Sequence, residues 1–210
     1  MSFFDNTRKP SGLGGKLMVS MMNLGHRSLA GWGLRFAHIP ADANVLDCGC
    51  GGGANIRKLL KKSPQGEVKG IDYSPVSVEK SRKVNENAIR EGRCAVLQGS
   101  VADMLFASEW FDLVTAFETV YFWPDLAQCF REVWRVLKPG GTFLICNECS
   151  GDTSKDDKWT EKIDGMTIYK DVQLRDYLEQ AGFCDVQIYK NKRGWLCVTA
   201  EKPVKKRDGE

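Results

Sequence analysis

Val45-Leu46-Asp47-Cys48-Gly49-Cys50-Gly51-Gly52-Gly53, followed further on by Gly70-Ile71-Asp72-Tyr73-Ser74, is the stretch on which the reading of this chain turns. The apolar pair Val45 and Leu46 runs into a turn with glycine at alternate positions, where the backbone can take positive φ and lie close against a bound molecule. Asp72 stands where a second parallel strand would end, placed to accept hydrogen bonds from a ribose diol. Strand, glycine turn, helix and a second strand closing on an acid together make a nucleoside-binding βαβ unit.

Glycine spacing separates two kinds of nucleoside site. A dinucleotide fold wants Gly-x-Gly-x-x-Gly, with the third glycine admitting a pyrophosphate at the helix start. Here the series is Asp47-x-Gly49-x-Gly51-x-Gly53. A carboxylate at the strand end repels a pyrophosphate and suits a ligand carrying an ammonium group, which also disfavours an NAD-type oxidoreductase. The series resembles the first motif of the class I S-adenosylmethionine-dependent methyltransferases. The resemblance extends over residues 40 to 200: Phe111-Asp112-Leu113-Val114-Thr115-Ala116 is similar to that family's fourth strand, and Phe130 to Gly141, ending Leu137-Lys138-Pro139-Gly140-Gly141, to the helix and turn before the fifth.

The resemblance implies S-adenosylmethionine as cofactor and S-adenosylhomocysteine as product. It places Asp47, Gly49, Cys50, Gly51 and Gly53 at the methionine tail, and Asp72, Tyr73 and Ser74 at the ribose and adenine. After the third strand the family usually carries an acid that bonds the adenine amino group. This chain has Gly99-Ser100-Val101 instead. The Ser100 hydroxyl can still accept and the Val101 amide donate. Phe117 closes the fourth strand beside the cofactor, and Glu118, Tyr121, Phe122 and Trp123 follow.

In family members this last loop lies beside the reacting methyl, so Tyr121, Phe122, Trp123 and Glu148 are expected to line an acceptor pocket, with packing at the sheet edge as the alternative for the rings. Glu118, Tyr121 and His26 are the candidate catalytic groups, His26 because a base near neutrality in a covering N-terminal segment is chemically apt. A surface histidine is the plainer reading of it. Transfer from a sulfonium is a direct in-line displacement, and a base is needed only where the acceptor must lose a proton.

With 210 residues, 42% hydrophobic, the chain is expected to form one methyltransferase domain over 41–202, with an N-terminal helical lid over 1–40, an insertion near 148–170 and a basic tail over 203–210. A net charge of +3 from mixed charges demands no anionic polymer as partner. Leu17 to Gly25 is too short an uncharged run to cross a bilayer, and the N-terminus lacks a signal-peptide pattern, so a cytoplasmic protein is expected. Eight cysteines, several in expected strands, read as reduced thiols. Cys146-x-x-Cys149 has no second pair or histidine at zinc spacing, and no metal is expected.

Alternating strands and helices imply an α/β, Rossmann-like three-layer sandwich. The expected strands are Asn44–Cys48, Glu67–Asp72, Cys94–Gln98, Phe111–Phe117, Thr142–Asn147, Cys184–Lys190 and Trp195–Glu201. Expected helices are two short ones across Lys16–Phe36, then Ala54–Lys62, Pro75–Glu91, Pro124–Leu137 and Val172–Ala181. A four-residue link between the last two strands makes them antiparallel, so the seven-stranded sheet is mostly parallel with one reversed strand near the edge. The functional expectation is methyl transfer to a small-molecule acceptor by a monomer or homodimer, with no nucleic acid or membrane partner. Methylation of RNA or protein, and a non-catalytic cofactor-binding regulatory module, are the rivals.

Overall fold

The computed structural model describes residues 27–204. His26, the first of the two expected N-terminal helices and the end of the basic tail lie outside the described residues. Helix α1 (Arg27–Gly33) precedes β1 (Val45–Cys48), α2 (Ala54–Lys62), β2 (Val68–Asp72), α3 (Pro75–Val84), α4 (Glu86–Arg90), β3 (Cys94–Gln98) and β4 (Phe111–Phe117). A 3-10 turn (Val120–Phe122), α5 (Leu126–Val136), β5 (Leu137–Asn147), α6 (Ser154–Lys162), α7 (Asp171–Gln180), β6 (Cys184–Lys190) and β7 (Leu196–Glu201) complete the order.

The strands form one sheet in the order β3-β2-β1-β4-β5-β7-β6. Strands β1 to β5 run parallel, and β7 is antiparallel to both neighbours, one place in from the edge. The seven-stranded, mostly parallel sheet is the one expected. The order reverses between β1 and β4, and ligands in such sheets bind at the carboxyl ends beside that reversal. One apolar layer joins Leu29 of α1, Ile56 and Leu59 of α2 and Val78 of α3 to Val45, Leu113 and Leu144. The opposite layer is built on α5, whose Leu126, Cys129, Phe130, Val133 and Val136 recur at helical spacing, and on Leu174 and Leu178 of α7.

Several elements differ from the sequence expectation, among them β5, which starts at Leu137 rather than Thr142. The single helix expected to Glu91 is broken at Asn85 (φ −114°, ψ 20°), because that side chain is buried and its amide donates to the Gly53 carbonyl at 3.1 Å and the Ser81 carbonyl at 2.9 Å. Helix α5 starts after Pro124, since Asp125 (φ 32°) caps it by accepting from the Gln128 amide at 3.1 Å. Within 148–170 a helix, α6, forms where only a polar insertion was expected.

Lys202, which opens the basic run at the C-terminus, is buried. Its Nζ donates to the Leu137 carbonyl at 2.8 Å and lies 3.9 Å from the Trp134 ring centroid. It ties the last strand to the end of α5 rather than dangling in water. Among the described residues no helix is long and apolar enough to cross a membrane, and no cluster of three His, Cys, Asp or Glu is placed to hold a metal.

Candidate functional site

Asp47 and Asp72 close β1 and β2 side by side, yet their surroundings differ. Asp72 is held on both oxygens by backbone amides, Oδ2 accepting from Gly51 and Oδ1 from Ser74, each at 2.9 Å. Burial raises its carboxyl above the usual range, and those two amides pull the other way. Each oxygen keeps a second lone pair, so the grip on the loop does not use up its accepting capacity. Asp47 is 1% exposed; its Oδ1 accepts from the Thr115 hydroxyl at 2.8 Å, and its Oδ2 has no partner among the described residues. Burial pushes this carboxyl up to about 7, opposed by the Thr115 bond, with the Asp72 charge adding to the rise and the Lys58 charge relieving it.

All three motif glycines have positive φ, but only one borders open space. A methyl on Gly49 (φ 71°) would lie 2.0 Å from Thr119 Oγ1, and one on Gly53 (φ 77°) would lie 2.5 Å from Asn85 Nδ2 and 2.9 Å from the Ser81 Cα. These two are glycine because protein fills the space. Gly51 (φ 50°) would meet nothing within 4 Å. The expectation that all three admit a ligand therefore narrows to Gly51.

Several expected contacts are turned elsewhere. The Cys50 side chain is buried against Gly70 and Ser81, with its thiol pushed well up by burial. Ser74 is fully buried and its hydroxyl caps α3, accepting from the Ser77 amide at 3.4 Å. Tyr73 is 40% exposed. At the end of β3, Ser100 is exposed and its hydroxyl accepts from the Ala102 amide at 3.2 Å, whereas the Val101 side chain is buried. The Phe117 ring packs under α1, with an edge atom 3.5 Å from where a methyl on Gly33 would stand.

The carboxyl ends of β4 and β5 carry a second group of polar side chains. Glu118 (φ 57°) is the first residue past β4, and its Oε1 accepts from the Tyr121 hydroxyl at 3.2 Å and from the Glu148 amide. The Tyr121 hydroxyl also accepts from the Cys149 amide at 2.9 Å, and its carbonyl accepts from the Thr167 amide at 2.9 Å. Burial raises the Glu118 carboxyl to about 8, the two hydrogen bonds lower it and the Glu148 charge adds to the rise. Tyr121 is 3% exposed, so it clips β4 to the segment after β5 more than it presents a ring to a cavity. Phe122 is half-buried and meets Tyr121 edge-on at 6.1 Å.

Trp123 departs from the pocket expectation. It is buried in the core under β5, stacked on Phe143 at 6.2 Å and edge-on to Phe130 at 6.0 Å, with its indole N–H donating to Thr119 Oγ1 at 3.2 Å. A 3-10 turn ends there, and the following residue turns the large ring inward. Thr115 and Thr119 are neighbours of the site that the sequence reading missed. Thr115 is opposite Asp47 only because β1 pairs with β4. No local signal marks either hydroxyl.

Residues 39–195 match the family model described as "Methyltransferase domain". The chain is 30% identical over 148 residues to cycloartenol-C-24-methyltransferase of Arabidopsis thaliana, an alignment covering 66% of this chain and 44% of that protein. It thus spans under half the length of this curated relative, and 34% of the rice homologue. Among solved structures, a putative methyltransferase of Haloferax volcanii in complex with the Trm112 methyltransferase activator superposes with a TM-score of 0.81 at 21% identity, covering 90% of this chain and 95% of that one. A SAM-dependent methyltransferase from Aquifex aeolicus gives 0.75 at 18% identity, covering 89% and 98%. At these identities both structures speak to the fold alone.

Proposed function

The chain belongs to the class I S-adenosylmethionine-dependent methyltransferase superfamily, and from that premise we propose that it transfers a methyl group from S-adenosylmethionine to a small organic acceptor. The observation that carries the reading is the buried Oδ2 of Asp47 at the end of β1, which has no partner among the described residues. A buried carboxylate without a partner is costly, and an ammonium-bearing ligand is its natural complement. Gly51, whose missing side chain borders open space, supports the same fit.

On this reading Asp47, oriented by Thr115, draws the methionine tail, directly or through water. Asp72 accepts from the ribose while bracing the Gly51 loop. Tyr73 lies against the adenine, and Ser100 and the Val101 amide bond its edge. The bound cofactor supplies a methyl already activated by the sulfonium. The chain's own work is then to hold donor and acceptor in line and to keep water out.

Glu118, Phe122 and Glu148 form the acceptor side, with Tyr121 holding Glu118. With its carboxyl near 8, Glu118 keeps its proton at neutral pH and orients an acceptor oxygen or nitrogen by donating to it. The sterol relative's name supports a small organic acceptor over a polymer. We assign residues 41–202 to the catalytic domain and 148–170 to an insertion over its acceptor side, held by the Thr167–Tyr121 bond.

Isothermal titration with S-adenosylmethionine and S-adenosylhomocysteine tests the cofactor half, with micromolar binding expected. Incubation with methyl-labelled cofactor and a panel of phenols, amines, thiols and sterols tests the acceptor half. Tight binding with no label transferred to any small molecule, but transfer to RNA or protein, would overturn the small-acceptor reading.

A further inference from the structure

We propose that Thr119 and Trp123 are a positioning pair for the cofactor loop, Trp123 acting through the Thr119 hydroxyl on Gly49. The proposal rests on the cofactor site described above. Gly49 and Gly51 both hold positive φ, which glycine adopts without strain, so the loop's position is set by what touches it from outside. From the β2 side that bracing is visible: the Gly49 amide donates to the Ile71 carbonyl at 2.8 Å and the Gly51 amide to Asp72. From the β4 side it is Thr119, whose Oγ1 occupies the space a side chain on Gly49 would need.

A threonine hydroxyl ordinarily rotates to suit its surroundings. Here Oγ1 has a set partner, because it accepts from the Trp123 indole N–H at 3.2 Å. The indole is itself immobile, locked between Phe130 and Phe143 in the core. A buried tryptophan needs a partner for its N–H, and this one finds it on the side chain that walls the glycine turn. Thr119 is half-buried, so burial alone does not hold its side chain in place. The pair therefore carries the rigidity of the core out to the loop that receives the methionine tail.

Thr119→Val keeps the shape, removes the acceptor of the indole bond and sets a bulkier methyl against Gly49. Trp123→Phe keeps a ring in the stack and removes only the donor. Each variant should weaken S-adenosylmethionine binding about five- to tenfold in titration calorimetry, and S-adenosylhomocysteine equally, since both share the methionine tail. Thr119→Ser, which keeps Oγ1, should bind within twofold of the wild type. The double variant should bind no worse than the weaker single one, because the two changes break one interaction.

Thermal melts accompany each titration, and Thr119→Val, at a half-buried site, remains informative if Trp123→Phe fails to fold. Unchanged affinity in a folded Thr119→Val variant, additive losses, or a loss confined to S-adenosylmethionine would each overturn the pair. Failure of the wild type to bind either ligand would instead overturn the cofactor reading itself.

Discussion

The two halves of the site, at the ends of β1–β2 and of β4–β5, are built on opposite plans. At β1–β2 Asp72 answers to backbone close in sequence, taking the amides of Gly51 and Ser74 within a motif that spans Val45 to Ser74, while Asp47 reaches across to Thr115 of β4. At β4–β5 the partners come from far apart, Glu118 meeting the Glu148 amide and Tyr121 the Cys149 amide only because β4 lies beside β5. The grip of Asp72 on its loop is a local device. The Glu118 and Tyr121 contacts exist only when the sheet has closed.

The comparison breaks most sharply at the glycines. Gly53→Ala should cost about 2–4 kcal/mol of stability in urea unfolding, because the added methyl meets the Ser81 backbone and is strained at φ 77°. Gly51→Ala carries the strain without the clash and should cost only about 1–2 kcal/mol, its damage falling on cofactor binding instead. Equal losses of stability would mean that the open space at Gly51 is closed by protein in solution.

A smaller effect is expected from Asp72→Ala, which should weaken S-adenosylmethionine binding by about 1–3 kcal/mol in calorimetry. Unchanged affinity would leave Asp72 as a brace for the Gly51 and Ser74 amides and move the ribose elsewhere.

A prediction of another kind concerns pH. Asp47 and Glu118 hold protons in the folded state that the unfolded chain releases, because burial raises them from 3.8 to about 7 and from 4.5 to about 8. Across that window the folded state binds more protons, so the ligand-free protein should lose stability as pH rises from 4 to 8. Thermal melts should show the midpoint falling over this range, and Glu118→Gln should flatten the upper part of the fall. A midpoint that climbs toward pH 8 in the wild type would place these carboxyls in contact with water or a cation.

Much of the cofactor half was legible in the chain because its parts are close in sequence and each residue type has a local reason. Asp47 and Asp72 end apolar strands, and glycines stand where φ is positive. Which glycine borders open space among the described residues was not legible, since that depends on Thr119 and Asn85, brought in by other parts of the chain. Ser74 was expected at the cofactor, and its hydroxyl is used to cap α3. On the acceptor side Tyr121, Phe122 and Trp123 looked alike as consecutive aromatics. A 3-10 turn gave them different directions, clip, half-buried neighbour and core.

By itself the sequence determined the βαβ motif, the seven strands and the reversal of the last pair, because strand alternation, glycine punctuation and a four-residue link are local properties of the chain. Only the tertiary structure decided that Asp47 keeps one oxygen without a partner among the described residues, that Thr115 orients the other, and that Glu118 is buried against Tyr121. Hydrogen-bond partners and burial belong to the assembled sheet. Residues 68 positions apart become neighbours only when β1 and β4 pair.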